Sequence, residues 1–157
     1  MVLFSTPPPL RRAYLDHYTA RLHRLTPEHR GQWGELDATT MVAHLRRALV
    51  YTMEPGGGPT AKPHPVMSLP PIRWLLLHRL TWPRGKIKVT SKLTAPAEDD
   101  FSEEIAKLTA TMEAWAEFAD ANPKKSAPHP MFGVLPITQW CVFHGRHFDH
   151  HLTQFAV

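Results

Sequence analysis

Four stretches of this chain place apolar side chains at steps of three or four residues, the spacing at which one face of an α-helix turns inward. The first, "PLRRAYLDHYTARLHRL", carries Leu10, Tyr14, Tyr18, Leu22 and Leu25 and stops at Thr26-Pro27. The second, "DATTMVAHLRRALVYTM", has Asp37 as an N-cap and a stripe of Met41, Leu45, Ala48 and Thr52, and Pro55 with three glycines ends it. In the third, "DDFSEEIAKLTATMEAWAEFADA", Asp100 is followed three residues on by Glu103, and Ile105, Leu108, Met112, Trp115 and Phe118 or Ala119 share a face. A fourth runs from Pro136 through Trp140, Phe143, His147 and His151 to about Phe155. Strand signals are few. The expected fold class is therefore all-α, a four-helix bundle whose helices 2 and 3 are joined by a long crossover.

That crossover, residues 55–98, is rich in Pro, Gly and basic side chains. It is too long for a bare loop in a compact domain, so part of it should be ordered: a short helix at "IRWLLLHRL" and an extended piece at "GKIKVTS". Any strand is expected only within residues 84–96. The section "NPKKSAPHPMFGVLP", with four prolines and Gly133, reads as a second loop. With 157 residues and 43% hydrophobic content, the chain can bury one ordinary core, and residues 1–157 are expected to form one domain.

Several function classes are disfavoured by what the sequence lacks. The single cysteine, Cys141, allows no internal disulfide and no Cys-rich metal site, as fits a reducing compartment. No signal-peptide pattern opens the chain, and "IRWLLLHRLTW" is too short and too charged to span a bilayer, so a cytoplasmic protein with no membrane partner is expected. Residues 1–92 hold fourteen Lys/Arg against five Asp/Glu, and residues 93–157 hold four against nine. The basic residues are scattered and lack interleaved aromatics, which argues against nucleic acid as a partner. They form either a solvated face or a basic rim that attracts an anionic substrate.

Four of the eleven histidines, His144, His147, His150 and His151, fall within eight residues near the C-terminus. On a helix, His147 and His151 are separated by about 40° and about 6 Å, stacked on one face within reach of a shared ion. His144 lies on that face but about 10 Å along the axis from His151, so it can flank such a site. His150 is rotated about 100° from His151. Metals of the zinc type need three or four ligands, so a third must come from another helix. His44, one step from the stripe of the second helix, is the candidate. The bland alternative is packing: a histidine on a helix stripe is commonly a core residue, and cationic histidines near a helix C-terminus gain about 0.3–1 kcal/mol from the macrodipole. That accounts for one or two exposed histidines. Spacing alone leaves both readings open.

The stretch "HFDHHLTQF" resembles the C-terminal signature of the DinB-like superfamily, a His-x-x-His-His run with a glutamine three residues later, matched by His147, His150, His151 and Gln154. "LTPEHRGQWGELDATTMVAHL", with Trp33 and Gly34 ahead of a helix that contains a histidine, is similar to that superfamily's second-helix region. "HPMFGVLPITQW" resembles the loop and fourth-helix start of an uncharacterised domain-of-unknown-function branch. The resemblance covers about half the chain. It implies a four-helix bundle holding one divalent metal, commonly zinc or nickel, on His44, His147 and His151. It also implies relatives that are thiol-dependent transferases and isomerases using a low-molecular-weight thiol, and it is compatible with a homodimer.

Three neutral imidazoles would leave such an ion its full charge, enough to activate a bound water or a thiol. His144 and His150 would then orient a ligand ring or relay a proton. Asp149 is expected to be solvated, and Cys141 to be a core residue. No catalytic residue is assigned by these patterns, nor is the small-molecule substrate. Three classes remain: a metal-dependent transferase or hydrolase, a non-catalytic metal-binding bundle acting as sensor or interaction protein, and a bundle in which the histidines only pack.

Overall fold

The structure, a computed structural model, describes residues 6–54, 63–84 and 92–157. A 3-10 turn at Arg12–Tyr14 leads into helix α1 (Leu15–Leu22), followed by α2 (Ala38–Met53), α3 (Pro70–His78) and α4 (Phe101–Ala121). Strands β1 (Ser126–His129) and β2 (Gly133–Pro136) form an antiparallel hairpin, and α5 (Ile137–Gln154) closes the chain. The protein is thus mostly helical with one small sheet, and the all-α expectation is corrected to that extent.

The two helices with the clearest sequence caps are capped as their residues dictate. The Asp37 carboxylate accepts the Thr40 N–H at 2.8 Å, and that of Asp100 accepts the Glu103 N–H at 2.9 Å. Each satisfies one of the donors a helix start leaves unpaired. α2 packs along α4, and a forked ion pair ties them: Arg46 donates to the fully buried Glu104 carboxylate at 2.9 and 3.1 Å. Removing either partner would strand the other charge, at a cost of about 3–5 kcal/mol.

The first helix is shorter than its periodicity suggests. Leu10, Tyr18, Leu22 and Leu25 are buried as expected, but Tyr14 is 44% exposed and Leu15 takes its place in the core. The reason lies in the segment before α1. Leu10 is held outside any helix, its N–H donating to the Cys141 carbonyl and its own carbonyl accepting the indole N–H of Trp115. The same segment crosses α5 so closely that a Cβ on Gly145 would lie 2.2 Å from the Pro8 carbonyl oxygen. Only glycine fits there.

The hairpin overturns the expectation that residues 122–136 form a loop and that strand is confined to 84–96. Prolines 128, 130 and 136 suggested a loop, yet a two-stranded sheet has a free edge on each strand, where a missing N–H is harmless. The turn is stabilised by His129, whose Nδ1 accepts the backbone N–H groups of Met131 (3.1 Å) and Phe132 (3.2 Å). Trp140 of α5 donates to the Ala127 carbonyl at 3.0 Å, which docks the hairpin on the helix that carries the histidines. Within residues 55–98, the expected short helix corresponds to α3, packed on α5. The extended piece expected at residues 85–91 lies outside the described residues.

Candidate metal centre

α2 and α5 bring three of the sequence-selected histidines together. One ring nitrogen from each of His44, His147 and His151 lies within 4.8 Å of the others. His44 contributes Nε2, 2.9 Å from Nε2 of His147, and the His151 ring meets both partners edge-on at centroid distances of 4.9 Å. His44 and His147 are buried, and His151 is partly so.

The tautomers follow from the acceptors around the cluster. Nδ1 of His44 lies 3.1 Å from the Leu93 carbonyl oxygen, which can only accept, so the proton is on Nδ1 and the Nε2 lone pair points inward. The Gln154 amide donates through Nε2 to the Trp33 carbonyl, which fixes the amide so that its Oε1 faces Nδ1 of His151 at 2.8 Å. His151 therefore also carries its proton on Nδ1 and turns an Nε2 lone pair to the interior. The backbone at 31–34 closes tightly on this glutamine: Gly34 has φ +77°, and a Cβ there would lie 2.7 Å from Gln154 Nε2.

His147 completes the set. Its Nδ1 is buried with no hydrogen-bond partner among the described residues. If its proton sits on Nδ1, two Nε2 lone pairs face each other at 2.9 Å. If it sits on Nε2, it is donated to the Nε2 lone pair of His44 and leaves the buried Nδ1 lone pair without a donor among the described residues. The donor set thus fits a divalent ion. Around a tetrahedral ion with bonds of about 2.0–2.1 Å, nitrogens would stand about 3.3 Å apart, between the 2.9 Å of the His44–His147 pair and the 4.8 Å limit of the cluster.

Electrostatics favours the ligand form of all three rings. Burial lowers the pKa of His44, the Leu93 hydrogen bond opposing it in part. Burial, reinforced by the neighbouring histidines, places His147 well below the usual imidazole range. His151 is pushed down to about 3, chiefly by burial and then by His44, with the Gln154 bond acting the other way. Each is neutral at pH 7, as metal binding requires.

The remaining histidines of α5 stand outside this cluster. His144 is fully buried between Trp115 and Trp140, and its Nε2 lies 3.1 Å from Thr52 Oγ1. His150 sits edge-on to His151 at 5.1 Å and to Trp33 at 5.8 Å. Neither hydrogen-bonds a ring of the cluster among the described residues. Leu93 and Gln154 do so instead. The Leu93 carbonyl leaves no trace in the sequence, being backbone, whereas Gln154 and Gly34 stand in the stretches "HFDHHLTQF" and "LTPEHRGQWGELDATTMVAHL", whose pattern gives them no role. Asp149, expected to be solvated, is ion-paired with Arg21 at 2.7 Å. Cys141 is buried, and burial raises its thiol pKa, as suits a core residue.

Fold and cluster together define a class: a mostly helical protein with three close histidines that could hold a metal ion. The chain belongs to the family described as "Protein of unknown function (DUF1569)", whose family model matches residues 6–157. Neither the curated proteins nor the solved structures gave a match.

Proposed function

We propose that this protein is a DinB-like four-helix bundle, built from α1, α2, α4 and α5, that holds one divalent ion, zinc or nickel, on His44, His147 and His151. It acts on a small molecule as a metal-dependent transferase or hydrolase, with a low-molecular-weight thiol or water as nucleophile. The observation that carries the reading is the pair of pinned tautomers: Leu93 and Gln154 spend the Nδ1 protons of His44 and His151 and leave both Nε2 lone pairs converging near His147. A single proton on His147 Nε2 can satisfy only one of these lone pairs, whereas a metal ion would engage all three rings.

The chemistry an ion would supply here is Lewis acidity, which lowers the pKa of a coordinated water or thiol at neutral pH. The chain's own contribution is orientation and exclusion of water. Trp82 and Phe143 lie tilted against the His147 ring, with centroids 6.3 and 5.6 Å away, and screen it from solvent. His150, beside His151 yet half-buried, is the ring placed to carry a proton between the centre and the outside.

The test is metal analysis of untagged protein, followed by thermal melts of apo and reloaded samples. About one ion per chain is expected, and reloading at a hundredfold excess over the dissociation constant should add about 2.7 kcal/mol of stability. Coincident melts after verified removal and reloading would remove the centre from consideration. Turnover by the loaded protein across thiol-dependent transfer and hydrolysis substrates then separates an enzyme from a non-catalytic metal-binding bundle.

A further inference from the structure

Beside the histidine cluster lies a cleft of about 220 Å³ whose lining is unusual in its charge. Trp82 tilts over His147 and His150 at 6.3 and 6.2 Å, and Trp33 meets His150 edge-on, so two indoles and an imidazole form its walls. Arg79, Arg84 and Arg146 also line it. Two of these guanidiniums are set over the indoles: Arg84 over Trp33 at 4.3 Å and Arg146 over Trp82 at 5.8 Å.

None of the three arginines is ion-paired with a carboxylate among the described residues. Residues 1–5, 55–62 and 85–91, which complete the chain, contain no Asp or Glu, so they offer no side-chain carboxylate either. The cleft's own acidic residue, Asp149, is engaged by Arg21. Moreover, Arg146 donates to the Leu80 carbonyl through one terminal nitrogen, while its Nε is buried with no partner among the described residues. Such a donor calls for an acceptor. A guanidinium stacked on an indole keeps its in-plane N–H groups free, in the fork that matches a carboxylate or phosphate.

We propose that this cleft binds a small organic anion, its carboxylate or phosphate oxygens taken by Arg84 and Arg146 and its apolar part laid against Trp33 and Trp82. The volume is below the about 300–1,000 Å³ of drug-sized sites, which limits the ligand to a small molecule. His150 lines the cleft and its ring stands 5.1 Å from that of His151, so the anion site lies beside the proposed metal centre. That the anion is the substrate rests on the proposed metal-dependent activity. The binding itself does not.

The experiment is calorimetric titration of the full-length protein with benzoate, phenyl phosphate and the uncharged benzamide, before and after chelation. At least one of the two anions should bind about tenfold or more tightly than benzamide, and the tighter one identifies the oxyanion. Arg84→Gln should weaken that anion about tenfold. Arg84 is exposed, so its replacement leaves the fold intact; Arg146→Met, which also gives up the Leu80 contact, should do the same. Anion binding that survives chelation in a protein without turnover would sink the enzymatic reading and keep the cleft. Benzamide binding as well as both anions, or Arg84→Gln binding them like wild type, overturns the proposal.

Discussion

Two groups of histidines meet at helix α5, one completed by His129 of β1 and the other by His44 of α2, and they differ in where their lone pairs point. His129 and His144 sit among Trp140, Phe143 and Trp115, and burial holds each at about 3. His129 spends its Nδ1 lone pair on two backbone N–H groups of the hairpin turn. The Thr52 hydroxyl gives its one proton to the Ala48 carbonyl, so His144 must donate to it through Nε2. In His44 and His151 the protons are spent at the periphery, and the lone pairs face inward together with His147. Burial and a depressed pKa are common to both groups. Convergence of lone pairs distinguishes a candidate site from a polar core.

The sharpest way to break this comparison is to delete one ring from each group. His147→Ala should lower metal affinity by about a thousandfold or more, given about 10–16 kcal/mol for a complete structural zinc site shared among its ligands. Equilibrium dialysis against a chelator series reads the change. His129→Leu should leave metal content unaltered but cost about 2–4 kcal/mol of stability, because the Met131 and Phe132 N–H groups lose their acceptor. His129→Asn, whose amide oxygen can accept in its place, should recover part of that loss in denaturant melts. A fall in metal content with His129→Leu comparable to that of His147→Ala would erase the distinction between the groups.

A smaller effect is expected from the residue that orients His151. Gln154→Leu removes the acceptor that pins its tautomer and should weaken metal binding about 10–100-fold without unfolding the helix. Gly34→Ala acts on the same link, since its new Cβ would press on the Gln154 amide from a backbone at positive φ. If both variants hold metal like wild type, the tautomer argument fails even if the three rings remain ligands.

Acidification offers a graded test. His129 and His144 stay neutral in the fold down to about pH 3, whereas in the unfolded chain they titrate near 6.5. Below that value the unfolded chain takes up protons that the folded one refuses. Their stabilising contribution is therefore complete above about pH 6.5 and is lost as the pH falls towards 3, by about 1.4 kcal/mol per pH unit for each ring. In metal-free protein unfolded by urea between about pH 6 and 4.5, His129→Asn should reduce the slope of stability against pH by that amount for one ring. An unchanged slope would mean that His129 is protonated in the fold.

How much of this was legible in the sequence depends on the kind of signal. The caps at Asp37 and Asp100, the stripes of α2 and α4 and the shared face of His147 and His151 rest on helical geometry, which short-range spacing encodes, whereas His44, 103 residues from His147, was reachable only as a histidine beside a helix stripe and through the family resemblance. The hairpin was misread because its prolines lie where a two-stranded edge tolerates them, and because a histidine stabilises its turn where Asn or Asp would have signalled one. Tyr14 was misplaced because Leu10 is fixed by long-range bonds to Cys141 and Trp115 that no local pattern announces. The arginine cleft was foreshadowed only as a basic rim. Its members come from the α3 region and α5, and no spacing relates them.

The smallest expected effect belongs to His150, and it sharpens the contrast within two adjacent residues. His150 and His151 are neighbours in sequence with ring centroids 5.1 Å apart, yet helical rotation sends only His151 into the cluster and turns His150 towards Trp33 and Trp82. Proximity alone would make them equivalent. If lone-pair direction decides, His150→Ala should change metal affinity by no more than about twofold, since the ring hydrogen-bonds none of the three histidines among the described residues, and distant or uncoupled changes add little. The same substitution strips one wall from the cleft lined by Arg84 and Arg146, so benzoate or phenyl phosphate binding should respond where metal binding does not. Parallel measurement of metal content and anion affinity on this one variant separates the two surfaces. A loss of metal as large as that of His147→Ala would show that His150 turns into the centre when an ion is present, and the ligand set would have to be redrawn around it.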